Sequence, residues 1–432
     1  MFSARIFILA AMLIKLIYNE ILSHVADVQR KKPLPEEVAD VYDVERYQTY
    51  LNYTADIKKL RNKFKVIDLV IECALILSPM YSYIDKLCSS NPYSTFFITY
   101  MIIWIVGMFT EVFASYEVTF GILEKYGINK KDKKEFTKDF VLEQVLNLFV
   151  TVVLMVIAIY VGEHMAIWTN NFTVGLFRSV IICALVIVVL IAFICIAQLL
   201  SYAVLRKQYT FTEMEPGELK DKINKLQESS KKKVKKIYIY NESKKTTTKN
   251  AFLLKLLWHK EFGIADNFMN ENAEDELLAV LSHEVGHLKH KKDLRNFISY
   301  GIKAVAIVIA VLLIANPSPC LSIHAWVRDS FNVSYNNYYL LFVVYSYIVT
   351  PMMFLVSIFE AYKSRCEEYE ADREAVKNGY GEALIKTFKT LSSDELVNVN
   401  PHPFIEFTEY DHPGMYQRIK AIKAEEVIQR NQ

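Results

Sequence analysis

Two histidines and a glutamate form the most chemically informative pattern in the chain, at His283, Glu284 and His287. Residues four apart share one face of an α-helix, so both imidazoles can point at one ion. Zinc favours such nitrogen-rich tetrahedral sites, and its catalytic sites keep one position open for water. Glu284 is placed to take a proton from the zinc-bound water and return it to a leaving amine. The pattern predicts a zinc hydrolase; the alternative is an amphipathic helix that carries two histidines on its polar face.

A catalytic zinc needs a third protein ligand, and the acidic run from Glu367 to Asp372 is the best source in the sequence. Glu368 and Asp372 stand four residues apart, again on one helix face. One carboxylate can ligate the metal while the other orients a ligating histidine. Spacing alone does not separate Glu368 from Glu367 or Glu370, and a solvated acidic helix start is the alternative interpretation.

A further candidate feature lies near the C-terminus, where His412-Pro413 is followed by Arg418. A histidine or arginine near the zinc can stabilise the oxyanion of a tetrahedral intermediate. The alternative is a loop histidine with an ordinary helical arginine. The remaining histidines have no partner at metal spacing and are interpreted as structural or surface residues, with only His290 near the motif: His24, His164, His259, His290, His324 and His402.

The elements that must position these residues belong to a membrane protein. The 432 residues are 53% hydrophobic, with 12 Gly and 11 Pro, which excludes disordered and collagen-like chains. The six cysteines include no C-x-x-C pair, which favours buried small side chains over a thiolate metal site. About 20 apolar residues cross a bilayer as a helix. Such stretches predict seven spans, at 4–22, 66–84, 96–118, 141–161, 174–202, 297–315 and 338–359.

Charge is distributed unevenly along the chain although its total is nearly balanced. Lys+Arg 50 and Asp+Glu 48 almost cancel, so no global charge indicates nucleic acid. Lys and Arg concentrate in alternate loops between the predicted spans, which by the positive-inside rule places the N-terminus in the lumen and the C-terminus in the cytosol. The glycosylation sequons divide evenly between the two sides and carry no weight: Asn52, Asn171, Asn241 and Asn332.

The segment from about 205 to 295 interrupts the membrane pattern. Its periodicity predicts helices at 218–227 and 274–289, the second carrying the metal motif, and strands at 234–240, 250–257 and 261–265 around a turn at 258–260. The lysine run at 231–236 is interpreted as a solvated face near anionic lipid. The predicted organisation is a five-span membrane domain (1–204), a cytosolic α+β insert with the zinc helix (205–295), spans six and seven (296–360), and a C-terminal catalytic segment with the third ligand (361–432).

Taken together, the motifs resemble the type I CAAX prenyl proteases, which are zinc-dependent integral-membrane endopeptidases, over nearly the whole chain. The most specific parts are 283–287 with 368–372. Three further stretches resemble the family's loop after span three, its S-N-A strand and its H-P-P…R segment: 116–129, Lys249-Asn250-Ala251-Phe252, and His412 to Arg418. The chain departs from the family at Lys249, Leu288 and Gly414, none of which is a zinc ligand.

The resemblance implies a role for each residue that spacing leaves open. It selects Glu368 as the third ligand of one zinc per chain and Asp372 as the acid behind a ligating histidine. It keeps His412 and Arg418 beside Glu284 as catalytic residues. It also implies that Asn250 contacts the substrate backbone.

The fold that the resemblance implies is mainly α, with seven transmembrane helices around a water-filled chamber and a small α+β zincin-like domain at the cytosolic side. Polar residues within the spans, such as Glu111, Glu117 and Arg178, are then expected to face the chamber. The implied reaction removes the C-terminal aaX tripeptide from prenylated CaaX proteins by attack of a zinc-bound water. Such substrates and membrane lipid are the expected partners, without nucleic acid or an obligate protein partner, and the endoplasmic reticulum membrane is the expected location.

Two other functions fit parts of the sequence. A zinc protease of membrane-protein quality control would share the motif, but its bacterial examples have about four spans, and this chain has additional N-terminal ones. A channel, transporter or scaffold with an accidental motif would also carry charges within its spans. Zinc content separates the last class from the two proteases, and cleavage of prenylated against unprenylated peptide separates the proteases from each other.

Overall fold

A computed structural model describes residues 3–89, 91–164, 198–228, 236–256, 259–289, 317–334 and 337–431, together with Val234 and isolated positions within 181–196 and 298–303. The predicted spans at 174–202 and 297–315 therefore lie mainly outside the described residues. The same holds for Arg178, His290 and most of the lysine run at 231–236.

The N-terminal part is helical, and polar side chains cap the starts of its long helices. Ser3, Asp43 and Asn91 each accept a hydrogen bond from a backbone N–H of the following first turn, which satisfies donors that a helix start leaves open. The helices are α1 (Ala4–Arg30), α2 (Val44–Leu77), α3 (Met80–Leu87), α4 (Pro92–Tyr116) and α5 (Lys133–His164). A π-helical segment, Glu117–Leu123, continues α4.

Four described helices are long and apolar enough to cross a membrane: Ala4–Arg30, Pro92–Leu123, Lys133–Tyr160 and Tyr338–Lys377. They coincide with the first, third, fourth and seventh predicted spans. Little of their apolar surface is buried inside the protein, which suits contact with lipid. The chain is accordingly a mainly helical integral-membrane protein.

The prediction of one helix over 66–84 is wrong. The helix α2 begins at Val44 and ends at Leu77, so the charged residues from 44 to 65, predicted to lie in a loop, are part of this helix. Ser78 adopts extended backbone before Pro79, and α3 starts afresh at Met80. The cause is Pro79, since proline disfavours helical backbone at the preceding residue and has no N–H to continue the ladder.

A four-stranded mixed sheet follows the membrane helices. Its strands are β1 (Phe211–Glu213), β2 (Lys236–Tyr240), β3 (Ala251–Leu256) and β4 (His259–Ala265), in the order β1-β2-β4-β3. Strand β4 runs parallel to β2 and antiparallel to β3, so β3 forms one edge of the sheet. The three predicted strands correspond to β2, β3 and β4 and are confirmed within two residues at each end. Strand β1 is an additional strand, which sequence periodicity does not reveal. His259 and Lys260, predicted in a turn, belong to β4.

Helices cover the sheet and complete the C-terminal half. Apolar side chains of β2, β4 and the metal-motif helix share one buried core, which includes Ile237, Phe262, Ile264, Leu281 and Val285. Among the described residues, the further helices include α6 (Glu218–Leu226), α7 (Asp266–Glu271), α8 (Glu274–Lys289), α9 (Pro317–Phe331), α10 (Tyr338–Lys377), α11 (Gly381–Asp394), α12 (Pro403–Glu409) and α13 (Met415–Arg430).

Helix α10 links the membrane to the metal motif. Its 40 residues correspond to a length of about 60 Å at 1.5 Å per residue, roughly twice the hydrocarbon thickness of a bilayer. Pro351 lies inside the helix without ending it, as proline often does in membrane helices. The apolar first half can therefore span the membrane while the acidic second half continues beyond it to α8.

Candidate metal centre

The helix α8 turns its apolar face to the sheet and its histidines toward α10. Leu281 and Val285 are fully buried in the sheet core, which leaves His283 and His287 on the opposite side. Gly286 permits the close crossing of the two helices, because a Cβ there would lie 2.6 Å from the Cα of Ala371. The crossing brings the histidines against the acidic run of α10.

Three side chains converge at this crossing. His283 Nε2 lies 3.4 Å from Glu368 Oε2, and His287 Nε2 lies 3.3 Å from Glu368 Oε1. The two Nε2 atoms are 3.2 Å apart. Among the described residues, this set is the group of three ligating side chains close enough to hold one metal ion.

The spacing of these atoms fits a tetrahedral zinc. Ligand atoms about 2.0–2.1 Å from such an ion lie about 3.3–3.4 Å apart, close to the separations between His283, His287 and Glu368. The electrostatics agree: burial alone lowers the pKa of His283, but its contacts with Asp372 and Glu368 outweigh burial and raise the pKa to about 9. A site that stabilises a cation on the ring is suited to a bound metal dication.

Behind the ligands, Asp372 and Arg418 form a second layer. His283 Nδ1 lies 2.9 Å from Asp372 Oδ1, so the ring can donate there while Nε2 faces the metal position. Arg418 donates twice to Asp372, from Nε at 2.9 Å and from Nη2 at 2.6 Å. Its guanidinium also lies over the ring of Phe388, 4.1 Å from the centroid. The arginine is thus fixed at one face by Phe388 and at its edge by Asp372.

Three other predicted site residues occupy different settings. Glu284 is half-buried on α8. Burial lowers the pKa of the Arg418 guanidinium, but the charge of Asp372 and its hydrogen bond, then the charge of Glu368 and least that of Glu284, raise it overall. His412 is exposed, with Nε2 3.5 Å from Glu368 Oε1. Asn250 has an exposed side chain immediately before the edge strand β3, and its carbonyl accepts a hydrogen bond from Ala265 N–H.

Two features of the site have no signal in the sequence. Phe388 comes from α11 and shows no spacing relative to the motif residues, so only the fold reveals that it supports Arg418. The loop that carries His412 is held by Arg365 and Glu406, which belong to none of the predicted motif positions.

A cavity of about 990 Å³ lies among α1, α2, α4, α10 and α12. Its lining combines apolar residues with charged side chains of the first two helices, which include Lys15, Glu20, Asp68 and Glu72. Tyr410, two residues before His412 in the sequence, also borders the cavity. Ala114 and Val118 supply its wall from α4 and the π-helical segment. The cavity therefore borders polar residues of the membrane region, although Glu111 and Glu117 are not among its lining residues.

Comparisons with known proteins agree with this architecture. Residues 213–426 match the family model for peptidase family M48, and residues 24–217 match the model for the CAAX prenyl protease N-terminal region with five membrane helices. The chain is 26% identical to the probable CAAX prenyl protease 1 of Schizosaccharomyces pombe over 91% of its length and 82% of the relative's. It is 23% identical to the CAAX prenyl protease 1 homolog of Arabidopsis thaliana over 91% of each.

A solved structure shares the fold. The crystal structure of S. mikatae Ste24p superposes with a TM-score of 0.79 over 98% of this chain and 99% of that one, at 20% sequence identity. Membrane helices, an M48 match and a three-ligand cluster together define an integral-membrane metalloprotease. The chain belongs to the CAAX prenyl protease 1 family, within the M48 peptidases.

Proposed function

We propose that this protein is a zinc metalloendopeptidase that removes the aaX tripeptide from prenylated CaaX proteins. The observation that carries the proposal is the cluster of His283 and His287 on α8 with Glu368 on α10, the helix that continues out of the membrane. The names of the relatives, CAAX prenyl protease 1, support the substrate class.

In this proposal one zinc ion is held by His283, His287 and Glu368. Bound there, zinc supplies Lewis acidity toward water and toward the scissile carbonyl. Glu284 is the proton carrier: it takes a proton from the attacking water and gives it to the departing amine. Its half-buried position on the same helix face as the ligands suits both steps.

The residues around the ligands have separate tasks. Asp372 accepts the Nδ1–H of His283 and so fixes the tautomer that leaves Nε2 free for the metal. Arg418 neutralises and orients Asp372 through its two hydrogen bonds. His412 has an exposed ring near Glu368 and is the residue best placed to donate to the oxyanion that forms on the substrate.

A prenylated substrate has a lipid part and a peptide part, and the proposal assigns each to a different region. The isoprenoid occupies the cavity among the membrane helices, which reaches Tyr410, two residues before His412 in the sequence. The peptide extends along the edge strand β3, where Asn250 offers a donor and an acceptor to its backbone.

The same proposal includes the finer architecture and the location. It takes the chain as seven helices around a chamber, with a zincin-like insert at 205–295 between the membrane domain (1–204) and spans six and seven (296–360), and a C-terminal segment (361–432) that brings the third ligand. It places the protein in the endoplasmic reticulum membrane, N-terminus lumenal and C-terminus cytosolic, with lipid and prenylated proteins as its partners.

The deciding experiment combines metal analysis with two matched substrates. Purified protein should contain one zinc per chain and cleave a farnesylated CaaX peptide much faster than the same peptide without the lipid. Equal cleavage of both peptides would favour a membrane-protein quality-control protease instead. Protein without zinc and without peptidase activity would contradict the proposal altogether.

A further inference from the structure

The segment that carries His412 is a short loop, residues 410–414, between α12 and α13. His412 projects from its middle with 58% of the side chain exposed, and Asp411 beside it is exposed as well. Packing therefore does not hold the ring where it stands. His412 Nδ1 lies 2.8 Å from Asp411 Oδ1, but Asp411 belongs to the same exposed loop, so the contacts that fix the two ends of the loop also bear on the 3.5 Å distance from His412 to Glu368.

At the first end, Arg365 binds the backbone. This buried arginine of α10 donates from Nη1 to the carbonyls of Glu406, at 2.9 Å, and Tyr410. The carbonyl of Glu406 also accepts the backbone N–H of Tyr410 at 3.4 Å, whereas carbonyls at and beyond a helix end generally lack helical partners, and the planar guanidinium binds both at once. Arg365 precedes Glu368 by three residues, so one helix face carries both the proposed ligand and the group that holds the loop.

At the other end, Glu406 binds Gly414. Its Oε1 accepts the backbone N–H of Gly414 at 3.1 Å. A proline at this position, as in the H-P-P pattern that the chain otherwise resembles, has no N–H to donate. A Cβ at Gly414 would also lie 2.8 Å from the Cγ of Pro401. The contact therefore depends on both residues: Gly414 supplies the N–H in a space too small for a side chain, and the carboxylate of Glu406 accepts it.

We propose that Arg365 and Glu406 are positioning residues that fix the two ends of the 410–414 loop and thereby place His412 at the metal centre. The inference rests on the proposed function only for the catalytic role of His412. The restraint of the loop itself can be measured without any substrate.

The first test is amide hydrogen exchange on the full-length protein in detergent. Glu406→Ala should accelerate exchange in residues 410–414 on the order of 10-fold, the equivalent of one lost hydrogen bond, and Arg365→Ala, which loses two, should accelerate it at least as much. Exchange in α8 should stay at the wild-type rate. Unchanged exchange in the loop of both variants would overturn the inference.

The second test is a double-mutant cycle on cleavage of the farnesylated peptide. Arg365→Ala should lower kcat on the order of 100-fold, as expected for a misplaced catalytic group, with zinc content retained. In a His412→Ala background the same substitution should cost less than about 2-fold, because the group it positions is gone. An equal loss in both backgrounds would contradict a role through His412.

Arg46→Ala is the matched control, since Arg46 donates in the same manner to the carbonyls of Ser393 and Asp394 at the end of α11. Its effect on kcat should be the same with and without His412.

If Arg365→Ala does not fold, Glu406→Ala tests the other end of the loop by both measurements. If the wild type cleaves no prenylated peptide, the proposed function fails, while the exchange rates still decide whether the loop is held as inferred.

Discussion

The metal centre and the proposed peptide-binding edge differ in how firmly their side chains are held. His283, Glu368 and Asp372 are buried, and each contacts at least two other members of the cluster or Arg418. Asn250 is exposed at the start of an edge strand. The first region is already arranged in the protein alone, whereas in the proposed function the second would be completed by the substrate itself.

The difference follows from the cost of buried charge. Carboxylates and imidazoles at a helix crossing are stable only when each is paired, so the cluster must form as a unit. A strand edge in water has no such requirement, because solvent satisfies its polar groups until a peptide replaces it. Substitutions in the first region should therefore have large and cooperative effects, and those in the second should be small and additive.

The largest expected effect is loss of the metal in Glu368→Ala. The substitution removes one of three ligands and should abolish zinc binding, measured by metal analysis after dialysis. Glu367→Ala and Glu370→Ala are the matched controls, since these side chains lie about 100° and 200° around the helix from Glu368. If Glu367→Ala were the variant that lost the metal, the assigned ligand would be wrong by one residue.

Glu284→Gln separates chemistry from metal binding. All three ligands remain, so zinc content should equal that of the wild type. Turnover of the prenylated peptide should fall on the order of 1,000-fold or more, because the proton carrier is lost. Near-normal activity in this variant would refute the mechanism.

Gly286→Ala tests how closely the two helices must cross. A methyl group there would lie 2.6 Å from the Cα of Ala371, so α8 and α10 have to separate. We expect a loss of about 1–3 kcal/mol in unfolding free energy, with weaker zinc retention. Gly107→Ala is the control, because a Cβ at Gly107 meets no atom within 4 Å; equal stability of the two variants would show that the crossing tolerates the change.

The sequence could predict the features that helical periodicity sets, but not the contacts between distant helices. Helix α8 has the predicted bounds, and the pairs 283/287 and 368/372 converge because helical periodicity alone puts their members on one face. Choosing Glu368 over Glu367 needed the resemblance, since spacing does not set the rotation of α10. Phe388 and Arg365 act through contacts between distant helices, for which the chain carries no local pattern.

The break between α2 and α3 and the strand β1 were missed for different reasons. The apolar residues continue on both sides of Pro79, although proline ends the helical ladder there. Strand β1 has three residues, too few to show alternation, and it exists only because β2 offers an edge. In both places local chemistry or pairing overrode the hydrophobic pattern.

A pH effect is expected where the edge strand begins. Burial raises the pKa of Glu395 to about 7, although a hydrogen bond from the backbone N–H of Lys249 opposes the shift. Because this pKa is higher in the folded protein than the ordinary value of 4.5, the folded state favours the protonated acid. Its contribution to stability is fully present below pH about 4.5 and is lost as the pH rises through about 7.

Glu395→Gln should therefore remove part of the pH dependence of unfolding. Between pH 5 and pH 8.5 the wild type should lose about 2 kcal/mol relative to this variant, once partial exposure is allowed for. Thermal unfolding in detergent at both pH values measures the difference. Glu45→Gln, in the exposed first turn of α2, is the control and should follow the wild-type profile; parallel profiles for the wild type and Glu395→Gln would show that the carboxyl does not titrate in this range.

The smallest effect is expected at Asn250, where the comparison between the two regions is tested most directly. An exposed side chain that gains one hydrogen bond to the substrate contributes about 1 kcal/mol, so Asn250→Ala should lower kcat/KM on the prenylated peptide about 5-fold. Zinc content and melting temperature should match the wild type, because no buried partner in the protein is lost. Combined with Gly286→Ala, the substitution should add its effect without coupling, as expected for independent sites. A lower melting temperature with unchanged kcat/KM would make Asn250 a turn residue, and the peptide would then have to bind elsewhere than along β3.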